Sequence, residues 1–291
     1  MTFTKKSLTI LEQIDSTKSK YNINITDEKL AHQYFSHCNY YKLRGYWLFY
    51  EEISTLNIDF EKVVNLYEFD RELRNTFLKH IERVESSIKS IFTNYLTVKY
   101  EDSHIHTKEH IFENKLFYQK SYKQLVSSFS KSTEIYAKHF KKKYDEPLPP
   151  LWVSVEMMTF GEISKWYKNL NIKDRKEIAK KYNLKERILT TFLFHLTEVR
   201  NISAHHSRLW NKKLSKGFQV PSNLKIYPND NFKVYHTMMM LDYLLYQIGF
   251  NNKKTIIDEI VELLNNYNIP LKYMGFPKEN TIKGLENIKY E

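Results

Sequence analysis

The residue types best suited to chemistry lie close together in residues 198–210, which read E-V-R-N-I-S-A-H-H-S-R-L-W. Arg200 and Asn201 are adjacent, and His205 follows four residues after the asparagine. An arginine stabilises charge on a phosphate, an amide orients a neighbouring group, and an imidazole takes or gives a proton near neutral pH. Metal-free cleavage of RNA requires these groups, because RNA carries its own nucleophile in the ribose 2′-hydroxyl. We therefore predict Arg200, Asn201 and His205 as catalytic residues.

An amphipathic helix is expected to position this group. Its apolar stripe recurs at intervals of three and four residues and consists of Leu189, Phe192, Leu196 and Val199. The same periodicity predicts a second, polar face that carries Glu198, Asn201, His205 and Arg208. The alternative is that this polar face is only the solvated side of the helix, as most polar faces are.

Positive charge is concentrated around the same segment. The whole chain has a formal net charge of +11, and residues 165–216 alone hold fourteen Lys and Arg against four Asp and Glu, a net charge of +10. A basic stretch of this kind is typical of proteins with a phosphate-bearing partner. The residues predicted to bind RNA are Lys173, Arg175, Lys176, Lys180, Lys181, Lys185, Arg187, Arg208, Lys212 and Lys213.

Four blocks of the sequence resemble one known family. Residues 200–211, R-N-x-x-A-H-H-x-R-L-W-N, resemble the motif of abortive-infection proteins of the AbiD/AbiF type, which belong to the HEPN superfamily. The other blocks are N-Y-Y-K-L-R-G-Y-W at residues 39–47, L-Y-E-F-D-R-E-L-R at residues 66–74 and P-L-W-V-S-V-E-M-M-T-F-G at residues 150–161. They occur in the family's order and cover most of the chain.

The resemblance implies an all-α, HEPN-like helical bundle with an extra N-terminal helical region. It also implies a phage-defence ribonuclease that leaves 2′,3′-cyclic phosphate ends and is restrained by a structured noncoding RNA. In-line cleavage needs both an acid and a base, and His206 points about 100° away from His205 on a helix. The resemblance to HEPN proteins implies that a two-fold homodimer supplies both groups, because it faces two motifs across one cleft. We expect His206 and His195 to be structural.

Two other functions remain open. The same basic fold would hold RNA without cutting it in a non-cleaving RNA-binding module. A metal-dependent nuclease would use the cluster His104, His106 and His110, or the scattered acidic residues. The histidine spacing lacks an accompanying Cys or carboxylate constellation and favours a solvated loop. We therefore expect no metal and no cofactor.

Composition favours an all-α fold. The 291 residues include only six Gly and seven Pro, and 42% are apolar, which is typical of a helical protein with a sizeable core. The single cysteine, Cys38, fits a reducing cytosol. No apolar run approaches the roughly 18–20 residues that cross a bilayer, and residues 1–20 do not read as a secretory signal. We expect a cytoplasmic protein without membrane contact.

The predicted organisation has three parts: an N-terminal arm with an aromatic segment at 1–58, a HEPN-like domain at 59–269 with a connector at 145–150, and a tail at 270–291. The aromatic cluster of residues 40–50 is expected to fill the core, with stacking on nucleobases as the alternative. A helix over 59–98 is predicted to be bent or broken once. On that helix, Arg74 and Arg83 either pair with neighbouring acids or assist phosphate binding.

Further helices are predicted after Thr26, over 112–144, from Pro150 and over 173–182. The helix of the catalytic motif is expected from Lys185, and two more helices over 232–247 and 254–265 close the fold.

Overall fold

A computed structural model describes residues 6–52, 58–222, 224, 232–249 and 254–277. These residues form twelve α-helices and one pair of two-residue strands, which confirms the predicted all-α fold. None of the described helices is both long and apolar enough to span a membrane.

The helices follow one another in this order: α1 (Ile10–Tyr21), α2 (Glu28–His37), α3 (Tyr40–Glu52), α4 (Phe60–Tyr100), α5 (Lys115–Lys131), α6 (Ile135–Lys143), α7 (Leu151–Ser154), α8 (Phe160–Asn169), α9 (Ile172–Lys180), α10 (Glu186–Ala204), α11 (Val234–Ile248) and α12 (Ile256–Tyr267). The strands β1 (Ile23–Asn24) and β2 (Ile58–Asp59) pair in parallel. Short 3₁₀ turns occur at Ile105–Thr107, Glu109–Ile111, Val155–Met157 and Leu271–Met274.

The chain divides into two compact units. The first contains residues 1–74 and 262–269, and the second contains residues 75–261 and 270–291. The division therefore falls within α4, between Arg74 and Asn75, and again within α12. The predicted domain boundaries stay a prediction, and the predicted tail lies outside the described residues from 278 onward.

Aromatic side chains of α3 fill the core of the first unit. Tyr46, Trp47 and Phe49 are at most 2% exposed, which confirms the core prediction for three of the six aromatic residues of the cluster, whereas Tyr41 is exposed. The neighbouring α2 begins with Asp27 as its N-cap, where the carboxylate accepts a hydrogen bond from the Leu30 amide at 2.9 Å. The helix predicted to begin after Thr26 therefore begins one residue later, after Asp27.

Helix α4 is an unbroken α-helix of 41 residues, about 60 Å long. Within the first unit it buries an ion pair in which Arg74 Nη1 lies 2.5 Å from Asp70 Oδ2. The Tyr46 hydroxyl donates a hydrogen bond to the same carboxylate oxygen at 2.7 Å. Because Arg74 is only 3% exposed, the hypothesis that it assists phosphate binding is wrong, whereas pairing with a neighbouring acid is confirmed.

Two helix boundaries in the second unit differ from the prediction. The single helical region expected over 112–144 is two helices, α5 and α6, separated at Ser132–Glu134. The helix expected from Pro150 is divided into α7, a 3₁₀ turn and α8, because Thr159 and Glu162 form a capping box that starts a new helix.

The histidines at 104–110 do not form the expected solvated loop. His106 is fully buried, and its Nε2 lies 3.0 Å from the Ser154 hydroxyl. Burial lowers the pKa of His106 to about 3, so this imidazole is a neutral core group. Among the described residues, no three His, Cys, Asp or Glu side chains are grouped as metal ligands.

Candidate active site

The helix α10 carries the predicted catalytic motif on its last turn. The predicted apolar stripe of α10 is confirmed, since Leu189, Phe192, Leu196 and Val199 are at most 1% exposed. This stripe packs α10 against α8 and α9 and fixes the rotation of the helix in the second unit. The opposite side of its last turn therefore faces outward.

The helix ends at Ala204, which places His205 at the C-cap and His206 just beyond it. His206 has a φ of 57°, in the left-handed region. Its amide donates to the Ser203 carbonyl at 3.1 Å, and the Ser207 amide donates to the Ile202 carbonyl at 2.9 Å. This pair of bonds is a Schellman motif, with a histidine in the place that glycine usually takes. The predicted structural role of His206 is therefore that of a backbone cap.

An exposed bend follows the helix end and brings the chain back to the core. Residues 205–208 are exposed, whereas Leu209 and Trp210 are fully buried. Arg208 lies in this bend, so the prediction that it shares a helical face with His205 was wrong. The bend is short because buried residues, Ile202 and Ser203 before it and Leu209 and Trp210 after it, anchor both ends.

The three predicted catalytic residues lie within about one and a half turns at the end of α10. Asn201 and His205 are exposed, and Arg200 is partly buried. Arg200 Nη1 donates to Asn201 Oδ1 at 3.4 Å, which turns the amide's Nδ2 donor group away from the guanidinium. The His205 amide donates to the Asn201 carbonyl at 3.0 Å, so the backbone places His205 one turn beyond the asparagine. This arrangement presents a cation, a hydrogen-bond donor and an imidazole to solvent.

Glu198 holds the segment that returns past the motif. Its carboxylate accepts hydrogen bonds from the Ser215 amide at 2.9 Å, the Ser215 hydroxyl at 2.8 Å and the Lys216 amide at 3.0 Å. Sequence reasoning placed Glu198 on the polar face but missed this role. No local sequence pattern indicates this role, because the hydrogen-bond partners of Glu198 lie 17 and 18 residues further along the chain.

His195, one helical turn before Glu198, holds the same segment from the inside. Its Nδ1 bonds to the Lys216 carbonyl, and its Nε2 lies 2.7 Å from the Thr237 hydroxyl. Burial lowers the pKa of His195 to about 4, although the bond to the Lys216 carbonyl opposes that shift. The predicted structural role of His195 is confirmed.

The predicted RNA-binding residues fall into two groups. One group, on α9, its connection to α10 and the first turn of α10, consists of Lys173, Arg175, Lys176, Lys180, Lys181, Lys185 and Arg187. The other follows the motif and consists of Arg208, Lys212 and Lys213. Arg175 and Lys212 are partly buried, and the other eight are exposed. Arg187 and His205 lie at opposite ends of α10, about 27 Å apart along the helix axis.

Some of these cations already have acidic partners. Arg175 Nη2 lies 2.9 and 3.0 Å from the two carboxylate oxygens of Glu113, and Lys180 Nζ lies 2.6 Å from Glu177. The charge of Arg175 is therefore countered in the described structure. The other cations carry most of the excess charge of this region.

Asp174 anchors α9, the helix that carries several of these cations. It is fully buried, forms an ion pair with Lys99, and accepts hydrogen bonds from the Tyr95 hydroxyl at 2.9 Å and the Tyr100 hydroxyl at 2.8 Å. Asn171 caps α9 and donates a further bond to Asp174 at 2.7 Å. The sequence does not indicate this structural role, because Asp174 lies in a helix that is rich in lysine and arginine.

Comparison with known proteins gives one match. The sequence profile described as Abi-like protein matches residues 33–211, more than half of the chain, and includes the motif on α10. No curated protein and no solved structure matches the chain. The protein belongs to the Abi-like protein family.

Proposed function

We propose that this Abi-like protein is a metal-independent endoribonuclease of the abortive-infection type, on the AbiD/AbiF branch of the HEPN superfamily. The observation that best supports this function is the accessible group of Arg200, Asn201 and His205 at the end of α10. Exposed cations follow the group in sequence and provide positive charge for an incoming phosphate backbone.

The reaction needs only groups that the chain and RNA supply. The ribose 2′-oxygen attacks the adjacent phosphorus, the bond from phosphorus to the 5′-oxygen breaks, and 2′,3′-cyclic phosphate and 5′-hydroxyl ends result. His205 takes the proton of the 2′-hydroxyl as a base or gives a proton to the 5′-oxygen as an acid. Arg200 stabilises the charge on the phosphorane-like transition state, and Asn201 orients the imidazole or holds the phosphate.

A second copy of the chain supplies the second imidazole. One motif carries one suitably placed histidine, because His206 caps the helix in the left-handed conformation. In a two-fold dimer, His205 of each copy acts on the same scissile phosphate. In dimers mixed at random with a His205→Asn chain, activity then falls as the square of the wild-type fraction. A linear fall means that each copy cuts alone.

The chain's RNA partners are its substrate and a structured noncoding RNA that restrains it. The basic residues on α9 and beyond the motif offer more positive charge than one scissile phosphate requires. The restraint is tested by extracting and sequencing the nucleic acid that purifies with the His205→Asn chain. A single enriched folded RNA supports it, and a random sample of cellular RNA contradicts it.

The decisive comparison uses the two adjacent histidines. His205→Asn is expected to abolish cleavage, whereas His206→Asn is its matched control, because asparagine tolerates the left-handed conformation that His206 adopts. Cleavage is expected to persist in EDTA and to leave 5′-hydroxyl ends. RNA binding without cleavage by the wild-type chain would instead indicate a non-cleaving RNA-binding module. Activity lost in EDTA would contradict the metal-independent mechanism.

A further inference from the structure

The first unit contains a cleft of about 330 Å³ that the proposed active site does not use. It lies between α3 and the segment that includes α1 and the residues before it. Three cations and three tyrosines line it: Lys6, Lys20, Arg44, Tyr21, Tyr40 and Tyr41. The described residues that line it include no acid. Cations interleaved with aromatic rings are the composition of sites for single-stranded nucleic acid.

Arg44 gives the cleft a fixed planar cation. Its guanidinium lies over the Tyr21 ring, 5.2 Å from the ring centroid. Its Nε is enclosed and has no hydrogen-bond partner among the described residues. The stacked ring orients the guanidinium within the cleft. A phosphate is the anion whose oxygens best match such a planar donor.

Tyr41 offers an open ring beside this cation. It is 64% exposed, and its ring meets Tyr40 edge to face at 5.4 Å. Tyr40 in turn packs edge to face against the buried Trp47 at 5.4 Å, so Tyr41 rests on a supported aromatic group. A large exposed ring held from one side is a surface on which a nucleobase can stack.

Gly45 keeps the helix surface beside Tyr41 clear. It lies one turn after Tyr41 on α3, where residues four apart are neighbours. A Cβ added at Gly45 would meet no atom of the described chain within 4 Å. Glycine inside a helix is less stable than alanine, but here it leaves room for a flat ligand lying on Tyr41.

We propose that this cleft binds one unpaired nucleotide of single-stranded RNA. The base stacks on Tyr41 over Gly45, and the phosphate is held by Arg44 and Lys20. The site is sequence-tolerant, because every base offers a face for stacking. The proposal rests on the proposed function in taking RNA as the polymer, but it requires no cleavage.

Binding is measured with a fluorescent oligouridylate of about eight nucleotides and a chain carrying His205→Asn. A failed cleavage test and a failed cleft test are then distinguishable. Tyr41→Ala is expected to weaken binding on the order of tenfold to a hundredfold, the effect of losing one stacked base. Lys20→Ala is expected to lower the slope of log affinity against log salt by about 0.7, the effect of losing one phosphate contact with a single strand. Lys29→Ala, at an exposed lysine on α2, is the matched control and should leave both quantities unchanged.

Gly45→Ala separates a binding role from a structural one. The added methyl group favours the helix and is expected to raise the melting temperature, while it weakens binding of the oligonucleotide. Affinity within twofold of the parent in both Tyr41→Ala and Gly45→Ala would overturn the proposal. The proposal would also be overturned if Tyr41→Ala lost binding to phosphatidylserine vesicles but kept its binding to RNA. The cleft would then bind a membrane surface.

Discussion

Lowering the pH is expected to destabilise the second unit through His195. This imidazole is fully buried, and its Nδ1 faces the Lys216 carbonyl, which can only accept a hydrogen bond. The neutral ring therefore carries its proton on Nδ1, and Nε2 accepts from the Thr237 hydroxyl at 2.7 Å. A second proton on Nε2 would place a charge in the core beside Phe192 and Phe218.

The magnitude follows from the pKa difference between the folded and unfolded chain. Burial lowers the pKa of His195 to about 4, against about 6.5 for an unfolded histidine. As the pH falls, the unfolded chain binds the proton first, so stability is complete above about pH 6.5 and is lost toward pH 4. The slope approaches roughly 1.4 kcal/mol per pH unit, or about 3 kcal/mol over the interval. His106, whose pKa is lowered to about 3, adds a similar slope.

Urea unfolding between about pH 7 and pH 5 measures this effect. The slope of the unfolding free energy against pH is expected to decrease by about 1 kcal/mol per pH unit, averaged over this range, in His195→Gln. His106→Gln should behave in the same way, and His32→Gln, at an exposed histidine, controls for the loss of an imidazole. A His195→Gln chain with the wild-type slope would refute the assignment of His195 as a neutral core group.

Three further predictions concern contacts that support the site and the core. Glu198→Ala removes the acceptor of two amides, and trypsin should cut after Lys216 about tenfold faster than in wild type; equal rates would contradict the role of Glu198. Asp174→Asn should lower the unfolding free energy by about 2–3 kcal/mol in urea titrations, because Lys99 and the tyrosine hydroxyls remain in place without the carboxylate they bind. A change below about 0.5 kcal/mol would contradict the anchoring role of Asp174. Arg74→Ala removes the buried Arg74–Asp70 ion pair and should lower the unfolding free energy by about 3 kcal/mol in urea titrations, with no specific loss of RNA binding in chains that remain folded.

Local periodicity was enough to predict most helices. The apolar stripe of α10 and the aromatic core residues of α3 follow from spacing and side-chain size, which are properties of a single segment. The path of the chain beyond the end of α10 could not be predicted from this periodicity. The helix ends at Ala204 because His206 adopts a conformation that the sequence usually marks with glycine or asparagine.

Contacts between distant segments could not be predicted from the sequence. Glu198 lies on the predicted polar face and Asp174 in a basic helix, yet Glu198 binds the backbone of residues 215–216 and Asp174 is fully buried beside Lys99. His106 likewise looked solvated but faces Ser154, 48 residues away. In each case the partner is brought close by tertiary packing, which leaves no periodic trace. The catalytic roles of Arg200, Asn201 and His205 stay predictions.

The most direct test of the proposed chemistry is the cleavage of an RNA whose scissile position lacks its 2′-hydroxyl. Once a cleaved site has been mapped, the same oligonucleotide is made with one 2′-deoxy sugar immediately before the broken bond. Because the 2′-oxygen is the proposed nucleophile, the wild-type chain should leave this bond intact while cutting the all-ribose strand to a 2′,3′-cyclic phosphate. Equal cleavage of the two strands would contradict transesterification by the motif on α10.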